Sequence, residues 1–357
     1  MINRIKIKNF KSIGDEGVDL KLKPLTILVG PNGAGKSKIL ETIALCGQLG
    51  QLRGLLRDPS AEHLIHRRQP GLSATVEVFL SEKGLFSMKV TAGTPITGFA
   101  PLYDSHPLGQ SADKGGQEKL AEFSRLLTSE LQGKVYLLSA TRGLVPHSVN
   151  TGIYPDWVGL DGENLIPLLA RILAKREYDS IAKSILTWAE EFGVSGLKSG
   201  LWGQNTIGSD YLDTEVDASL NLASASSGAR QIITVITQLF WSGPRTINMI
   251  EEPEISLHPE GQIKLCKLFA EVIGQQKQII ITTHSHFFLI AIGGAVQEGV
   301  LKRDQLVVYH VEKQKGRGTV ASELELDENG YIKGWIPSYS DVEKKLIQRW
   351  ADTLPVE

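Results

Sequence analysis

Three short stretches of the chain carry residue types at spacings suited to phosphate chemistry. The first, Gly30-Pro31-Asn32-Gly33-Ala34-Gly35-Lys36-Ser37, satisfies G-x-x-x-x-G-K-[ST] at every position. Its glycines let successive backbone N–H groups curl around a phosphate, and the start of the following helix adds partial positive charge. Lys36 would reach the β- and γ-phosphates, and the Ser37 hydroxyl would ligate Mg²⁺. In the second, the apolar run Ile247–Ile250 delivers Glu251-Glu252-Pro253-Glu254 at its carboxyl end, where an α/β nucleotide site needs a metal anchor and a base. Glu251 would hold Mg²⁺, directly or through water, and Glu252 would orient and deprotonate the attacking water. In the third, Ile279-Ile280-Ile281-Thr282-Thr283 leads to His284, which either hydrogen-bonds the γ-phosphate or simply caps a strand end. His284 and His286 make no metal pair, because no carboxylate or cysteine joins them at ligand spacing.

Each stretch needs an element to position it. The β-branched run Leu25–Val29 reads as a buried strand ahead of the glycine loop, and 39–57 behind it has helical spacing. Strands are expected at 4–8, 18–22, 135–138, 214–222, 246–250 and 278–282, with hairpins at 75–79/86–90 and 307–311/320–326. Helices are expected at 118–131, at 163–192 in two pieces, and at 225–240, 261–273 and 341–350. Residues 91–116 and 193–208, rich in Gly, Pro and Ser, read as loops. No internal repeat or coiled-coil heptad run is present.

Composition bounds the partners. The 357 residues can bury a sizeable core, and the formal charge of −2 leaves no global basic footprint for nucleic acid. Cys46 and Cys266 lie far apart in helical patterns, which argues against a disulfide framework and fits a reducing compartment. The N-terminus does not read as a signal peptide, and no apolar run approaches the ~20 residues of a membrane helix. These features predict a soluble cytoplasmic protein with no membrane partner.

With Ser226-Ser227-Gly228-Ala229-Arg230-Gln231 added, four motifs occur in one order: GPNGAGKS, SSGARQ, NMIEEPEISLHP and TTHSH. In this the chain resembles the ABC-type ATPase heads of the RecF, SMC and OLD (overcoming lysogenization defect) group, over most of 1–40 and 215–290. The opening Ile5-Lys6-Ile7-Lys8-Asn9-Phe10-Lys11-Ser12-Ile13 is similar to that group's first strand, and Lys11 and Ser12 join the expected nucleotide-binding set. The resemblance implies an α/β P-loop head with a mixed sheet, an antiparallel β subdomain and a helical insertion. Its divisions are expected at 1–150, 151–213 and 214–357. It implies a homodimer that sandwiches two ATP molecules. Ser226 and Gly228 match the signature motif that touches the partner's γ-phosphate, Glu251 and Glu252 the Walker B acids, and His284 the switch histidine. Gln69 is the candidate metal-sensing glutamine, although a solvated basic turn serves equally there. Arg142 reads as a surface arginine, with a phosphate or partner contact as the alternative. Two departures stand out: Glu251 replaces the usual Asp, and Ala225-Ser226-Ser227-Gly228 replaces Leu-Ser-Gly-Gly.

The stretch Glu252–Pro259 looks most like OLD-type and related stand-alone ATPases. About seventy residues follow His284, below the usual size of an independent domain, so no appended nuclease is expected. The leading expectation is an ATP-driven switch acting on DNA or on an effector (a nuclease or toxin) encoded nearby, in bacterial defence or genome maintenance. The alternative is a RecF-like DNA-repair module, which would need a basic face built from residues such as Arg53, Arg57, Arg67, Arg68, Lys175 and Arg176. A transporter ATPase and a nucleotide-gated scaffold rank lower.

Overall fold

The computed structural model describes residues 1–47, 64–68, 72–80, 84–91, 100–103, 106–107 and 131–334, with 345, 348–350 and 352 beyond them. In chain order the strands are β1 (Ile2–Lys8), β2 (Val18–Lys21), β3 (Leu25–Val29), β4 (Ser73–Leu80), β5 (Gly84–Thr91), β6 (Ala100–Tyr103), β7 (His106–Pro107) and β8 (Val135–Leu138). They continue as β9 (Val149–Asn150), β10 (Ser195–Leu201), β11 (Thr206–Asp213), β12 (Ala218–Asn221), β13 (Ile247–Glu251), β14 (Gln278–Thr283), β15 (Leu306–Gln314) and β16 (Gly318–Glu323). The described helices are α1 (Lys36–Gly47), α2 (Leu165–Ala174), α3 (Asp179–Glu191), α4 (Ser227–Trp241), α5 (Pro259–Gly274) and α6 (His286–Gln297).

A mixed sheet of order β16-β15-β3-β14-β13-β8 forms the middle layer. All its strands run parallel except β16, which returns antiparallel beside β15. Strands covered on both faces read as continuous apolar runs, and β3 and β14 are buried throughout. Alternate side chains of β3 enter opposite cores: Leu25, Ile27 and Val29 pack with α2–α6, and Leu28 packs with α1 and the antiparallel sheet β2-β1-β4-β5-β6-β7. Parallel alignment brings the carboxyl ends of β3, β14, β13 and β8 to one edge, where an open α/β sheet binds ligands. Because β14 lies between β3 and β13, His284 is delivered between the glycine loop and the acidic pair.

The expected α/β head with mixed and antiparallel sheets is therefore found, with local differences. Residues 193–208, read as loop, contain β10 and the start of β11, part of a small sheet with β12 and β9. Glycines hid this hairpin. A Cβ at Gly208 would lie 2.3 Å from the Trp202 indole, so the missing side chain makes room for a ring that packs flat on the strand. Helix α6 was not expected either, because His286-Phe287-Phe288-Leu289-Ile290-Ala291-Ile292-Gly293-Gly294 is apolar on every face and has no amphipathic period. The expected 118–131 helix, the 48–57 part of the first helix and most of the 341–350 helix lie outside the described residues. Among the described residues no helix is long and apolar enough to cross a membrane.

Candidate active site

The glycine loop is shaped by close backbone approach. A Cβ on Gly30 would sit 1.9 Å from the Val311 carbonyl oxygen of β15, and Gly35 adopts φ 111° with its missing Cβ 2.3 Å from Thr319 Oγ1. Thr319 donates to the Ala34 carbonyl at 2.8 Å, and its hydroxyl lies 2.9 Å from Ser12 Oγ, so the β15–β16 hairpin and the turn after β1 meet at the loop. Lys36 is only 6 % exposed. Its ammonium donates to the carbonyls of Gly30 at 2.8 Å and Pro31 at 3.1 Å and lies 2.8 Å from His284 Nε2. Burial pushes the Lys36 pKa down to about 8 against the pull of Glu252, Glu251 and Glu254. His284 is likewise lowered, by burial and then by Lys36, which suits a neutral ring whose Nε2 accepts from the lysine.

The acidic turn is held from several sides. Glu252 has φ 45°, a left-handed conformation uncommon outside glycine, and its N–H donates to the Thr282 carbonyl at 2.9 Å. Its carboxylate approaches His284 Nε2 at 3.6 Å, beyond hydrogen-bond distance. Glu251 turns the other way, and its Oε2 accepts from the Ala140 N–H at 3.3 Å. Glu254 is buried beneath the histidine; its Oε1 accepts from Thr283 Oγ1 at 2.5 Å and from the His284 N–H at 3.3 Å, and burial raises its pKa. Arg142, expected at the surface, is instead 2 % exposed behind this turn. The tight turn after β8 folds its side chain under the end of β13, a placement that the local sequence does not signal.

One cavity of about 330 Å³ gathers Lys11, Ser12, Asn32, Gly33, Ala34, Gly35, Lys36, Ser37, Glu252 and His284. Gly30 and Pro31 do not line it, and they meet the site only through the carbonyls that accept from Lys36. Lys38, Thr282 and Lys313 also line it, and these the sequence argument missed. Thr282 was visible in the TTHSH stretch beside His284, whereas Lys313 is brought in only by the pairing of β15 with β3. Lys11 and Lys38 both reach Glu41, each at 2.5 Å, at the cavity's edge. The glycine cradle, the lysine donors and the adjoining carboxylate fit a nucleoside triphosphate. Among the described residues no three His, Cys, Asp or Glu side chains converge as a metal cage. Magnesium in such sites is held by one or two protein oxygens together with phosphates; of the expected ligands Ser37 lines the cavity, whereas Glu251 does not and accepts from the Ala140 N–H instead.

Ser226 and Gly228 lie elsewhere, in an open groove of about 850 Å³ that shares no lining residue with the first cavity. Ser226 caps α4, its Oγ accepting from the Ala229 N–H at 3.2 Å. Gly228 presses on the loop after the acidic turn, where a Cβ would stand 2.6 Å from the Ser256 carbonyl oxygen. Gln69 lies outside the described residues.

This fold and site define a P-loop ATPase with an ABC-type head. Residues 118–289 match the family model of the AAA ATPase domain, and residues 1–96 match that of the RecF/RecN/SMC N-terminal domain. The chain is 27% identical over 323 residues to an OLD nuclease of Thermus scotoductus, covering 81% of this chain and 60% of that protein. It thus spans about 60% of that relative's length. A 44-residue stretch is 46% identical to exonuclease subunit 2 of Enterobacteria phage T4, covering 12% of this chain and 8% of that protein. Among solved structures, an SMC head bound to the C-terminal winged-helix domain of ScpA superposes with TM-score 0.59 at 14% identity, covering 92% of this chain and 98% of that one. The Pyrococcus furiosus SMC head with an extended coiled coil gives 0.56 at 12% identity, with 98% of each chain covered. At such identities these structures speak for the fold alone. Taken with the ordered motifs, the two family-model matches and the OLD relative support an ABC-type ATPase similar to the RecF/SMC/OLD group.

Proposed function

We propose that two copies of the chain close head to head around two ATP molecules and that hydrolysis releases them. The observation that carries this reading is the separation of the half-sites: the phosphate cradle and the signature residues occupy different cavities of one chain. Gly30–Ser37 with Lys11 and Ser12 would hold the triphosphate, and the start of α4, exposed at Ser226 and backed by the buried Gly228, would close it from the neighbouring copy. Ser37, with Glu251 or Glu252 and Gln69 as further candidates, would hold Mg²⁺, whose charge offsets that of the phosphates. Glu252 orients and deprotonates the attacking water. Lys36 exchanges its loop carbonyls and His284 for phosphate oxygens, and His284 then contacts the γ-phosphate.

The work is done on DNA or on an effector protein, in a cytoplasmic defence or genome-maintenance role. Support comes from the similarity to two nuclease proteins, an OLD nuclease and an exonuclease subunit. The effector would supply what the rest of the OLD relative's length supplies there. An ATP-licensed DNA-binding module of RecF type is the alternative. Of its candidate residues, Lys175 pairs with Glu177 at 3.3 Å, Arg67 donates to the Gly316 carbonyl at 3.1 Å, and Arg53 and Arg57 fall outside the described residues.

Mixing two inactive variants tests the composite site. Lys36→Ala lacks the cradle and Ser226→Arg lacks the closing half, so neither alone turns over ATP. Their mixture regains turnover, because a mixed dimer holds one intact site. Inactivity of the mixture refutes closure through a composite site. Glu252→Gln slows hydrolysis at least about 100-fold, the usual weight of a general base, and accumulates an ATP-held dimer on size exclusion. For the DNA branch, duplex affinity of the ATP-loaded protein falls linearly on a log–log plot against salt. No binding at low salt removes that branch.

A further inference from the structure

We propose that Arg142 is a positioning residue of the hydrolysis site: its guanidinium holds Glu252 in its left-handed backbone conformation, so that the carboxylate faces the phosphate cradle. This rests on the assignment of Glu252 as the base.

The evidence is where the fork of the arginine points. Arg142 Nη1 donates to the Ser139 carbonyl at 3.0 Å and to the Glu251 carbonyl at 2.5 Å, and Nη2 donates to the Glu252 carbonyl at 2.9 Å. Three carboxylates, Glu254, Glu252 and Glu251, lie close enough to act on its charge, yet the hydrogen bonds of the guanidinium all go to backbone carbonyls. Nε has no acceptor at all. A buried cation that served only to neutralise acids would pair with their oxygens. This one grips consecutive peptide groups, which a planar guanidinium can do and a lysine's point charge cannot.

The residue so gripped is the strained one. Glu252 sits at φ 45° and is restrained on both sides, its N–H by the Thr282 carbonyl at 2.9 Å and its carbonyl by Arg142. Such conformations persist where their surroundings over-determine them. The arginine's own platform is firm. Ser139 N–H donates to the Leu160 carbonyl and Gly143 N–H to the Asp161 carbonyl, each at 2.9 Å, while Thr141 Oγ1 donates to Asp161 Oδ1 at 3.0 Å. Without the fork, the Glu252 peptide is free to relax toward an ordinary conformation, and its carboxylate swings off the cavity that it now lines.

The test uses the full chain with Arg142→Ala, and with Arg142→Lys in case the alanine variant does not fold. Three quantities are read: ATP affinity at equilibrium, single-turnover hydrolysis, and the lifetime of the ATP-held dimer. A positioning role predicts ATP affinity within about threefold of wild type and hydrolysis slowed at least about 30-fold, a large part of a general base's contribution. The ATP-held dimer outlives the wild-type one, and Arg142→Lys recovers part of the rate. Since Arg142 acts through Glu252, adding Arg142→Ala to Glu252→Gln slows hydrolysis by less than about threefold, the signature of coupled residues. Affinity that falls in step with rate, or a full additive loss in the double variant, overturns the proposal. If Glu252→Gln is slow while both Arg142 variants hydrolyse normally, this proposal alone fails. If Glu252→Gln hydrolyses at the wild-type rate, the assignment of Glu252 fails first and takes this one with it.

Discussion

Two cavities of the chain, the phosphate cradle and the groove at the start of α4, are built in opposite ways. The cradle is narrow and basic: Lys11, Lys36, Lys38 and Lys313 line about 330 Å³, and its buried lysine already has hydrogen-bond partners. The signature groove is open and acidic. Glu190, Glu191, Asp213, Glu215 and Glu260 line about 850 Å³, with Lys264 as its one lysine and His258 beside it. A triphosphate repelled by those carboxylates would not settle there unaided, so the helix start at Ser226 is useful only when a charged nucleotide arrives already neutralised. On the proposed reading, one region is the binding site and the other a docking face. Their difference in charge is itself an argument for a composite site.

The sharpest way to break this contrast is to disable each side and measure nucleotide affinity at protein concentrations that keep the chain monomeric. Lys36→Ala should weaken ATP binding at least about 100-fold, since it removes charge-assisted hydrogen bonds of ~1.5–3 kcal/mol each. Ser226→Arg should leave affinity within about threefold while abolishing steady-state turnover. Equal losses in both would show that the two regions are one. Next comes Gly228→Ala, whose Cβ meets the Ser256 carbonyl oxygen. Overpacking there should cost about 1–3 kcal/mol, read as a fall of several degrees in apparent Tm with monomer ATP affinity unchanged. Smaller still is Thr319→Val, which removes the hydroxyl from the Ala34 carbonyl and from Ser12 Oγ. At ~0.5–1.5 kcal/mol for a hydrogen bond, ATP affinity should drop about three- to tenfold by titration calorimetry.

The mildest effect is one of pH. Burial pushes both Lys36, in the cradle, and Lys277, which donates to the Leu239 carbonyl near the end of α4, down to about 8 from an ordinary 10.5. Above pH 8 the unfolded chain therefore holds more protons than the folded one, and stability rises with pH. The rise is clearest between pH 8 and 9. Higher up, Cys46 and Cys266, whose thiols burial raises to about 12, pull the other way. Lys277→Met should remove about half of that slope in denaturant melts, and an unchanged slope would discount the burial of Lys277.

How much was legible beforehand follows the range of the interactions involved. Gly30–Ser37 could be read because every function of that loop is local: glycine torsions, a helix start and a lysine one residue inside it. Glu252 and His284 were readable because apolar strands announced them, and parallel strands must end on a common edge. Ser226 reads as a helix cap from its own neighbours. Arg142 was misread because nothing within several residues of it signals burial; its acceptors, the Glu251 and Glu252 carbonyls, are 109 and 110 residues away. Lys313 and Thr319 escaped for the same reason, since only the pairing of the last hairpin against β3 brings them to the loop. The β10–β11 hairpin was hidden by glycines chosen for ring packing, and α6 by apolarity on all faces.

Thr319 has a consequence for the order in which this protein becomes competent. Its hydroxyl reaches the Ala34 carbonyl across 285 residues of chain. The glycine loop leaves the ribosome early, but the strand that pins it follows only after roughly a quarter of a minute to a minute at ~5–20 residues per second. Until then the loop has its lysine but not its clasp, so a nascent chain should not hold ATP firmly. Nucleotide capture is written near the start of the message and completed only when the terminal hairpin has been made.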